Sequence, residues 1–154
     1  MNTEPSPSVS GVLHLYLDRH EDGRGFFMET FRANWLRDAT FTQGNLSSSS
    51  RGVLRGLHYH RHQDDLWMMP NGRAFVAVVD LRRGSPNGFF AVTPTLMSYL
   101  ATNYCGTDEL GVRWIDREIG IEWPTHAPLL SERDRNNPYW RHVPGELRPE
   151  ATDG

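Results

Sequence analysis

The sequence predicts an all-β fold, a β-sandwich or jelly roll with one short helix. Fourteen glycines and ten prolines divide the 154 residues into short segments, and such punctuation favours strands over long helices. Residues 12–17 alternate in the manner of a half-buried strand, whereas residues 73–81 are apolar on both faces, as expected inside a sandwich. A chain of this length can bury one substantial core, so we expect a single domain.

Local patterns place the other elements. Three large apolar side chains share one side of residues 29–39, which predicts the helix there. Residues 96–104 read as a strand, and residues 112–123 as a short strand followed by turns.

The two ends carry no signal for an ordered element. Residues 1–10 and 144–154 are polar and contain proline, so we expect tails without fixed structure around a domain of residues 11–143. The N-terminus lacks the layout of a signal peptide, and no apolar run approaches the roughly 20 residues of a membrane span. We therefore predict a cytoplasmic protein with no membrane partner.

Charge and cysteine content exclude further classes. A net charge of −3 and an isoelectric point near 6.1 provide no basic surface for a nucleic acid, so none is expected as a partner. Cys105 is the single cysteine of the sequence, so it forms neither an intrachain disulfide nor a thiolate metal cage. Its simplest role is packing.

Residues 51–62 are the segment that most clearly suggests a functional site, because histidines are present at positions 58, 60 and 62. Alternate positions on a strand place all three imidazoles on one face. Two interpretations follow: His58 is a proton-transfer base, or His58, His60 and His62 are metal ligands. The spacing alone leaves both open.

The region around these histidines resembles the first motif of the cupin superfamily. Glycines at positions 52 and 72 flank His58, His60 and Asp65 in the order of that motif, with aspartate in place of the usual glutamate. The resemblance implies a jelly roll and, in metal-binding members, a divalent ion held by these three side chains. The second cupin motif, at residues 86–91, has alanine where metal-binding members have a histidine.

A second resemblance covers more of the chain. Eight blocks, in order, look like the dTDP-4-dehydrorhamnose 3,5-epimerase family of nucleotide-sugar enzymes, which are cupin-type jelly rolls. The resemblance implies a metal-free homodimer that needs no cofactor and acts on a dTDP-linked 4-keto-6-deoxyhexose. The blocks are residues 22–29, 43–45, 52–59, 79–86, 99–104, 111–114, 120–124 and 130–134.

The family resemblance also implies catalytic roles. The reaction removes protons from C3 and C5 of the sugar, which the C4 ketone acidifies. His58 matches the base, a role that suits imidazole in general because its unperturbed pKa of about 6.5 lies close to working pH. Asp134 matches the carboxylate that pairs with this histidine, and Tyr99 matches the acid that reprotonates the opposite face. Arg55 matches a residue that holds the substrate near its ketone and diphosphate.

The same resemblance assigns residues to substrate binding. Guanidinium groups suit phosphates, and amides suit the edges of a base or ribose. The matched positions are Arg24, Glu29, Gln43 and Asn45 for dTDP, with Glu109 and Arg133 as further substrate-binding residues.

Two departures from the family are visible. Where the family has a lysine that steadies the enolate oxygen, this chain has Asp65, an anion that would repel that oxygen. His60 or His62 would then have to supply the donor.

The second departure is a short connection at residues 85–89. The family has room there for roughly two strands and their turns. Three alternatives follow: a jelly roll that lacks two strands, an intact fold with altered specificity, or a non-catalytic relic that binds dTDP-sugars.

Overall fold

The computed structural model describes residues 1–36, 39–81, 87–104 and 108–149. The fold is nearly all β, as the sequence predicts. In chain order the described elements are strands β1 (Asn2–Pro5), β2 (Leu13–Tyr16), β3 (Arg19–Asp22), β4 (Gly25–Met28), β5 (Gln43–Ser49), β6 (Leu54–Tyr59), β7 (Asp65–Asn71), β8 (Ala74–Val78), β9 (Asn87–Ala91), β10 (Thr95–Ala101) and β11 (Leu110–Gly111), and helix α1 (Glu132–Asn136).

The first of two compact units, Met1–Thr40, contains two antiparallel strand pairs, β1 with β2 and β3 with β4. Asn2 lies opposite Tyr16 and Pro5 opposite Leu13. The expectation of an unstructured tail over residues 1–10 is therefore wrong for β1. Pairing satisfies backbone groups whatever the polarity of the side chains, and this can order a polar segment.

The helix predicted over residues 29–39 is not formed in its described part. The Trp35 N–H donates to the Arg32 carbonyl at 3.0 Å, and the Ala39 N–H donates to the Leu36 carbonyl at 3.1 Å. These are separate turns with i+3 hydrogen bonds, not the continuous i+4 ladder of an α-helix. The prediction was wrong because apolar spacing alone does not stabilise so short a helix.

The second unit, Phe41–Gly154, contains two antiparallel sheets with the strand orders β5-β10-β7 and β11-β6-β9-β8. Trp67 of β7 packs edge to face on Phe89 of β9, with ring centroids 6.2 Å apart, so the sheets face each other. The strands predicted at 73–81 and 96–104 are β8 and β10. This unit is the predicted sandwich.

The apolar core lies against the four-stranded sheet. Leu54 and Leu57 of β6 are fully buried, together with Val112 of the segment after β11. Trp123 and Val143 belong to the same buried cluster. The core therefore unites β6 with the C-terminal third of the chain.

Strand β6 departs from simple alternation. Its pairing with β9 shifts register between Gly56 and His58, as at a β-bulge, and Gly56 has a φ of 131°. Leu54 and Leu57 consequently both face the core, and Arg55 and His58 both face the other side of the sheet. Strict alternation would place two residues three positions apart on opposite faces.

The C-terminal segment is ordered further than expected. Within the predicted tail of residues 144–154, Gly145–Leu147 form a 3₁₀ turn, and the Arg148 guanidinium donates to the carbonyls of Val143 and Trp140. Residues 150–154 and Cys105 lie outside the described residues. The boundaries 11–143 stay a prediction. No helix among the described residues has the length and apolar character needed to cross a lipid bilayer.

Gly72 joins β7 to β8, and its surroundings explain why this position of the histidine motif is a glycine. Its φ is +99°, and a Cβ at this position would lie 2.7 Å from the Thr95 Cα and closer still to the Pro94 carbonyl oxygen. Both constraints favour glycine.

We predict that Gly72→Ala lowers the free energy of unfolding by about 2–4 kcal/mol, from the positive φ and the backbone overlap. Urea denaturation measures the change. Gly145→Ala is the control, because its added Cβ meets no atom within 4 Å. Equal stability of Gly72→Ala and the wild type would contradict this account.

Candidate active site

A cavity of about 280 Å³ lies between the two sheets of the second unit. Strands β5, β7 and β10 line one side, and β6 and β9 line the other. The cavity brings together many of the site residues predicted from the sequence, namely Gln43, Asn45, Arg55, His58, Tyr99, Glu109 and Arg133.

His58 and Asp134 form a close pair at this cavity. Asp134 Oδ1 lies 2.5 Å from His58 Nε2, and only 5% of the Asp134 side chain is exposed. Burial opposes ionisation, but the hydrogen bond and charge of His58, helped by Ser131 and Arg133, lower the pKa of Asp134 below its ordinary value of 3.8. An ionised carboxylate only accepts, so the His58 tautomer that fits this contact donates from Nε2 and has its lone pair on Nδ1. The pair is a base oriented by a carboxylate.

Backbone contacts hold Asp134 in this position. The Leu129 N–H donates to the Gly52 carbonyl at 2.8 Å, and the Leu54 N–H donates to the Leu129 carbonyl at 3.0 Å. The Ser131 hydroxyl then caps α1 by accepting the Asp134 N–H at 3.0 Å. These bonds tie the start of α1 to the start of β6.

Tyr99 lies in the middle of β10, opposite Asn45 of β5 and Trp67 of β7. Burial raises the pKa of its hydroxyl above the ordinary value of 10.0, and the carboxylates of Asp65 and Glu109 raise it further. The hydroxyl therefore keeps its proton at neutral pH and can act as a proton donor.

Two arginines of the cavity are held by other protein groups. Arg55 donates to the Ser49 hydroxyl at 2.9 Å and to the carbonyl of residue 48 at 3.0 Å. Arg133 donates to the Glu109 carboxylate and to its carbonyl, both at 2.9 Å. Each guanidinium is thus oriented before any ligand binds.

Gln43 and Asn45 share the inner face of β5. The Gln43 amide donates to Asn45 Oδ1 at 3.1 Å, and Ser47 follows on the same face. Leu46 alternates with them and is exposed on the opposite face. The cavity thus has a wall of amides and hydroxyls.

His60 and Asp65 also line the cavity, but they do not form a metal cage with His58. His60 Nδ1 donates to the Asp108 carbonyl at 3.0 Å, and its Nε2 lies 3.9 Å from Asp65 Oδ2. His58 is directed at Asp134 instead. In the ranges that the structure describes, no three His, Cys, Asp or Glu side chains converge as a metal site. The geometry does not favour the metal-binding cupin.

Two residues that shape the site have no role in the sequence prediction. The Trp67 indole N–H donates to Asp65 at 3.4 Å. Because Asp65 and Trp67 are two positions apart, strand alternation could have predicted that they share one face of β7. Asp108 is buried and accepts the two backbone N–H groups that follow His60, at distances of 2.8–3.1 Å. Because its partners are backbone groups far away in the sequence, no sequence pattern indicates this role.

Arg24 and Glu29 lie in the N-terminal unit. Arg24 Nη2 binds the Asp22 carboxylate at 2.6 Å, and Glu29 accepts from Arg32 Nη2 at 2.6 Å. Their assignment to dTDP stays a prediction.

Comparison with known proteins gives consistent matches in sequence. The family model described as dTDP-4-dehydrorhamnose 3,5-epimerase matches residues 6–90 and 86–142. A dTDP-4-dehydrorhamnose 3,5-epimerase of Neisseria gonorrhoeae is 36% identical over 175 residues, covering 86% of this chain and 53% of the relative. The chain thus spans about half the length of that relative. The enzyme of the same name from Shigella flexneri is 34% identical, with 75% of this chain and 83% of the relative covered.

Solved structures match over nearly the whole chain. An epimerase of Legionella pneumophila in complex with dTDP-4-keto-L-rhamnose superposes with a TM-score of 0.89 at 25% identity, covering 98% of each chain. A 4-keto-6-deoxy sugar epimerase of Streptomyces spheroides superposes with a TM-score of 0.85 at 27% identity, covering 97% of this chain and 94% of the other. The predicted jelly-roll fold is confirmed.

The comparisons also bear on the short connection. The Neisseria alignment runs over 175 positions, more than the 154 residues of this chain, so that relative has residues without a counterpart here. The two family-model segments meet at residues 86–90. Residues 82–86 lie outside the described residues, but β8 and β9 on either side pair directly, with Ala74 opposite Ala91.

We predict that Asp134→Asn reduces the loss of stability on acidification. The pKa of Asp134 is lower in the folded chain than its ordinary 3.8, so its contribution is present above that value and is lost as pH falls through the folded pKa. Urea denaturation at pH 6 and pH 3 should show a smaller difference for Asp134→Asn than for the wild type. His58→Gln should also reduce the difference in stability between the two pH values, and equal acid sensitivity of all three proteins would contradict a stabilising His58–Asp134 contact.

Proposed function

We propose that this chain, which belongs to the dTDP-4-dehydrorhamnose 3,5-epimerase family, inverts C3, C5 or both of a dTDP-linked 4-keto-6-deoxyhexose. The His58–Asp134 pair carries the proposal, because it presents a base at the cavity with its partner carboxylate in place. The names of the matched relatives support the isomerase class and its place in deoxysugar biosynthesis.

The chemistry of the pair suits proton removal beside a ketone. His58 Nδ1 takes the proton from carbon, and Asp134 stabilises the imidazolium that forms. Tyr99 delivers a proton to the opposite face of the carbanion, because its raised pKa keeps it protonated. A base on one face and an acid on the other together invert the carbon.

Polar groups of the same cavity are proposed to hold the rest of the substrate. Gln43 and Asn45 suit the base or ribose, and Arg55 and Arg133 suit the diphosphate, because guanidinium groups bind phosphate oxygens in pairs. Glu109 keeps Arg133 oriented. The Legionella structure in complex with a dTDP-sugar supports this class of ligand. Arg24 and Glu29 are proposed as further dTDP contacts.

We also propose a cytoplasmic homodimer, as the family resemblance implies. Light scattering coupled to size exclusion measures the mass in solution, and a single 17.6 kDa species would contradict the dimer.

A second candidate is a dTDP-sugar binder without activity. The carboxylate of Asp65 in the cavity favours it, since an anion there repels an enolate unless it is compensated. Deuterium exchange at C3 and C5 of the substrate in heavy water separates the two candidates, because a binder gives none.

We predict that His58→Ala abolishes both exchange and inversion, slowing each by about 10²–10⁴-fold. Tyr99→Phe should lose inversion but keep exchange, since His58 can return a solvent-derived deuteron to the face it came from. Proton NMR of the sugar in heavy water follows exchange, and the product configuration reports inversion.

Tyr104→Phe is the matched control, because Tyr104 also lines the cavity but is 75% exposed. It should keep both exchange and inversion. Full exchange in His58→Ala would remove this residue from the role of base, and full inversion in Tyr99→Phe would remove Tyr99 from the role of acid.

A further inference from the structure

The proposed reaction needs a hydrogen-bond donor at the C4 oxygen of the sugar. Removal of a proton from C3 or C5 moves negative charge onto that oxygen, and a preorganised donor there lowers the barrier. The chain has no lysine, and its sixteen basic residues are all arginines. The two arginines of the cavity, Arg55 and Arg133, are proposed to bind the diphosphate and are oriented by Ser49 and Glu109. The donor must be sought among other side chains.

His60 has the position that such a donor requires. It follows β6 immediately, two residues after the base His58, so the two side chains leave the same side of the chain about 6.5 Å apart. This separation suits a sugar whose acidic C–H and ketone oxygen are on neighbouring carbons. Only 15% of the His60 side chain is exposed, and that side chain lines the cavity.

A hydrogen bond to Asp108 fixes the orientation of the His60 ring. A carbonyl can only accept, so the 3.0 Å contact with the Asp108 carbonyl makes His60 Nδ1 a donor. The Asp108 carboxylate also accepts the backbone N–H groups of Arg61 and His62, which holds the turn that carries the ring. Nε2 is therefore the nitrogen left for another partner.

Asp65 faces that nitrogen as a counter-charge. Its Oδ2 lies 3.9 Å from His60 Nε2, too long for a hydrogen bond, but close enough to attract a positive charge on the ring, since both side chains are largely buried. Gln63 and Trp67 donate to the same carboxylate, at 2.8 and 3.4 Å, and hold it in place. The gap leaves an Nε2–H group free for a substrate oxygen.

We propose that His60, protonated on both nitrogens, is a catalytic residue that donates its Nε2–H to the C4 oxygen of the substrate, with Asp65 as its counter-charge and Asp108 as a positioning residue. The inference rests on the proposed function. The proposal gives Asp65 a role that agrees with enolate chemistry, because the negative charge of the carboxylate neutralises the His60 imidazolium and does not act on the enolate alone.

The electrons balance without transfer of the His60 proton. The C–H bond breaks, its proton moves to His58 Nδ1, and its electron pair forms the C=C bond of the enolate. The π electron pair of the ketone moves to the C4 oxygen, which accepts a hydrogen bond from the His60 Nε2–H. When Tyr99 gives its proton to the carbon, the ketone re-forms, and His58 and Tyr99 return to their starting states by exchange with water.

His60→Ala tests the donor against His62→Ala, a matched histidine that is exposed and outside the cavity lining. We expect His60→Ala to slow deuterium exchange by about 10²–10³-fold. Its affinity for dTDP, measured by calorimetry, should not change because dTDP has no ketone. His60→Gln should recover part of the rate through its neutral amide donor, and His62→Ala should behave as the wild type. Wild-type exchange in His60→Ala would overturn the proposal.

Asp65→Asn decides what the carboxylate does. If Asp65 supports a charged His60, its replacement slows exchange by about tenfold or more. If Asp65 only repels the enolate, the same replacement accelerates exchange, which would overturn the proposal. Retained dTDP affinity shows that the variant is folded.

The two proposals fail in different ways. Absence of exchange in the wild-type protein overturns both. Exchange that depends on His58 but proceeds at the wild-type rate in His60→Ala overturns only the role of His60.

Discussion

The register of β6 is the constraint on which the site depends. Leu54 and Leu57 are both fully buried in the core, although they are three residues apart, and Arg55 and His58 consequently share the opposite face. The bulge at Gly56 makes this arrangement compatible with a strand, because its φ of 131° is accessible to glycine. A slip of one residue would exchange the apolar core side chains and the cavity-lining side chains between the two faces. Burial of two leucines therefore also sets the direction in which the His58 side chain points.

The His58–Asp134 contact depends on the completed fold. The two residues are 76 positions apart in the chain, so no local element can bring them together. Two backbone hydrogen bonds at Leu129 attach the segment before α1 to β6, and the cap at Ser131 sets the first turn of the helix. Closure of so long a loop costs entropy that only the core on the other face of β6 can offset. The geometry of the His58–Asp134 contact and the stability of the fold are thus linked through one strand.

Much of the fold and the site could be predicted from the sequence. Alternation was sufficient to predict β2, and a run of residues that is apolar on both faces was sufficient to predict β8. Residues 96–104 likewise read as a strand, and this prediction corresponds to β10. The family resemblance placed His58 and Tyr99 at one cavity together with the partner Asp134. The helix prediction failed because the same apolar spacing suits consecutive turns. The role of Asp108 could not be predicted, because it depends on backbone groups of a distant turn.

One face of the four-stranded sheet contributes to the apolar core, and the other face contributes to the cavity. One face, with Leu54 and Leu57, is part of the apolar core, and the other presents Arg55 and His58 to the cavity. Side chains such as Gln43 and Ser47 contribute to the cavity wall and not to that core. Substitutions at polar wall positions such as Gln43 and Ser47 therefore cost less folding free energy than substitutions of the buried core residues. This separation makes the scaffold evolvable: preference for a different ligand can arise by drift in the wall while the folded state persists.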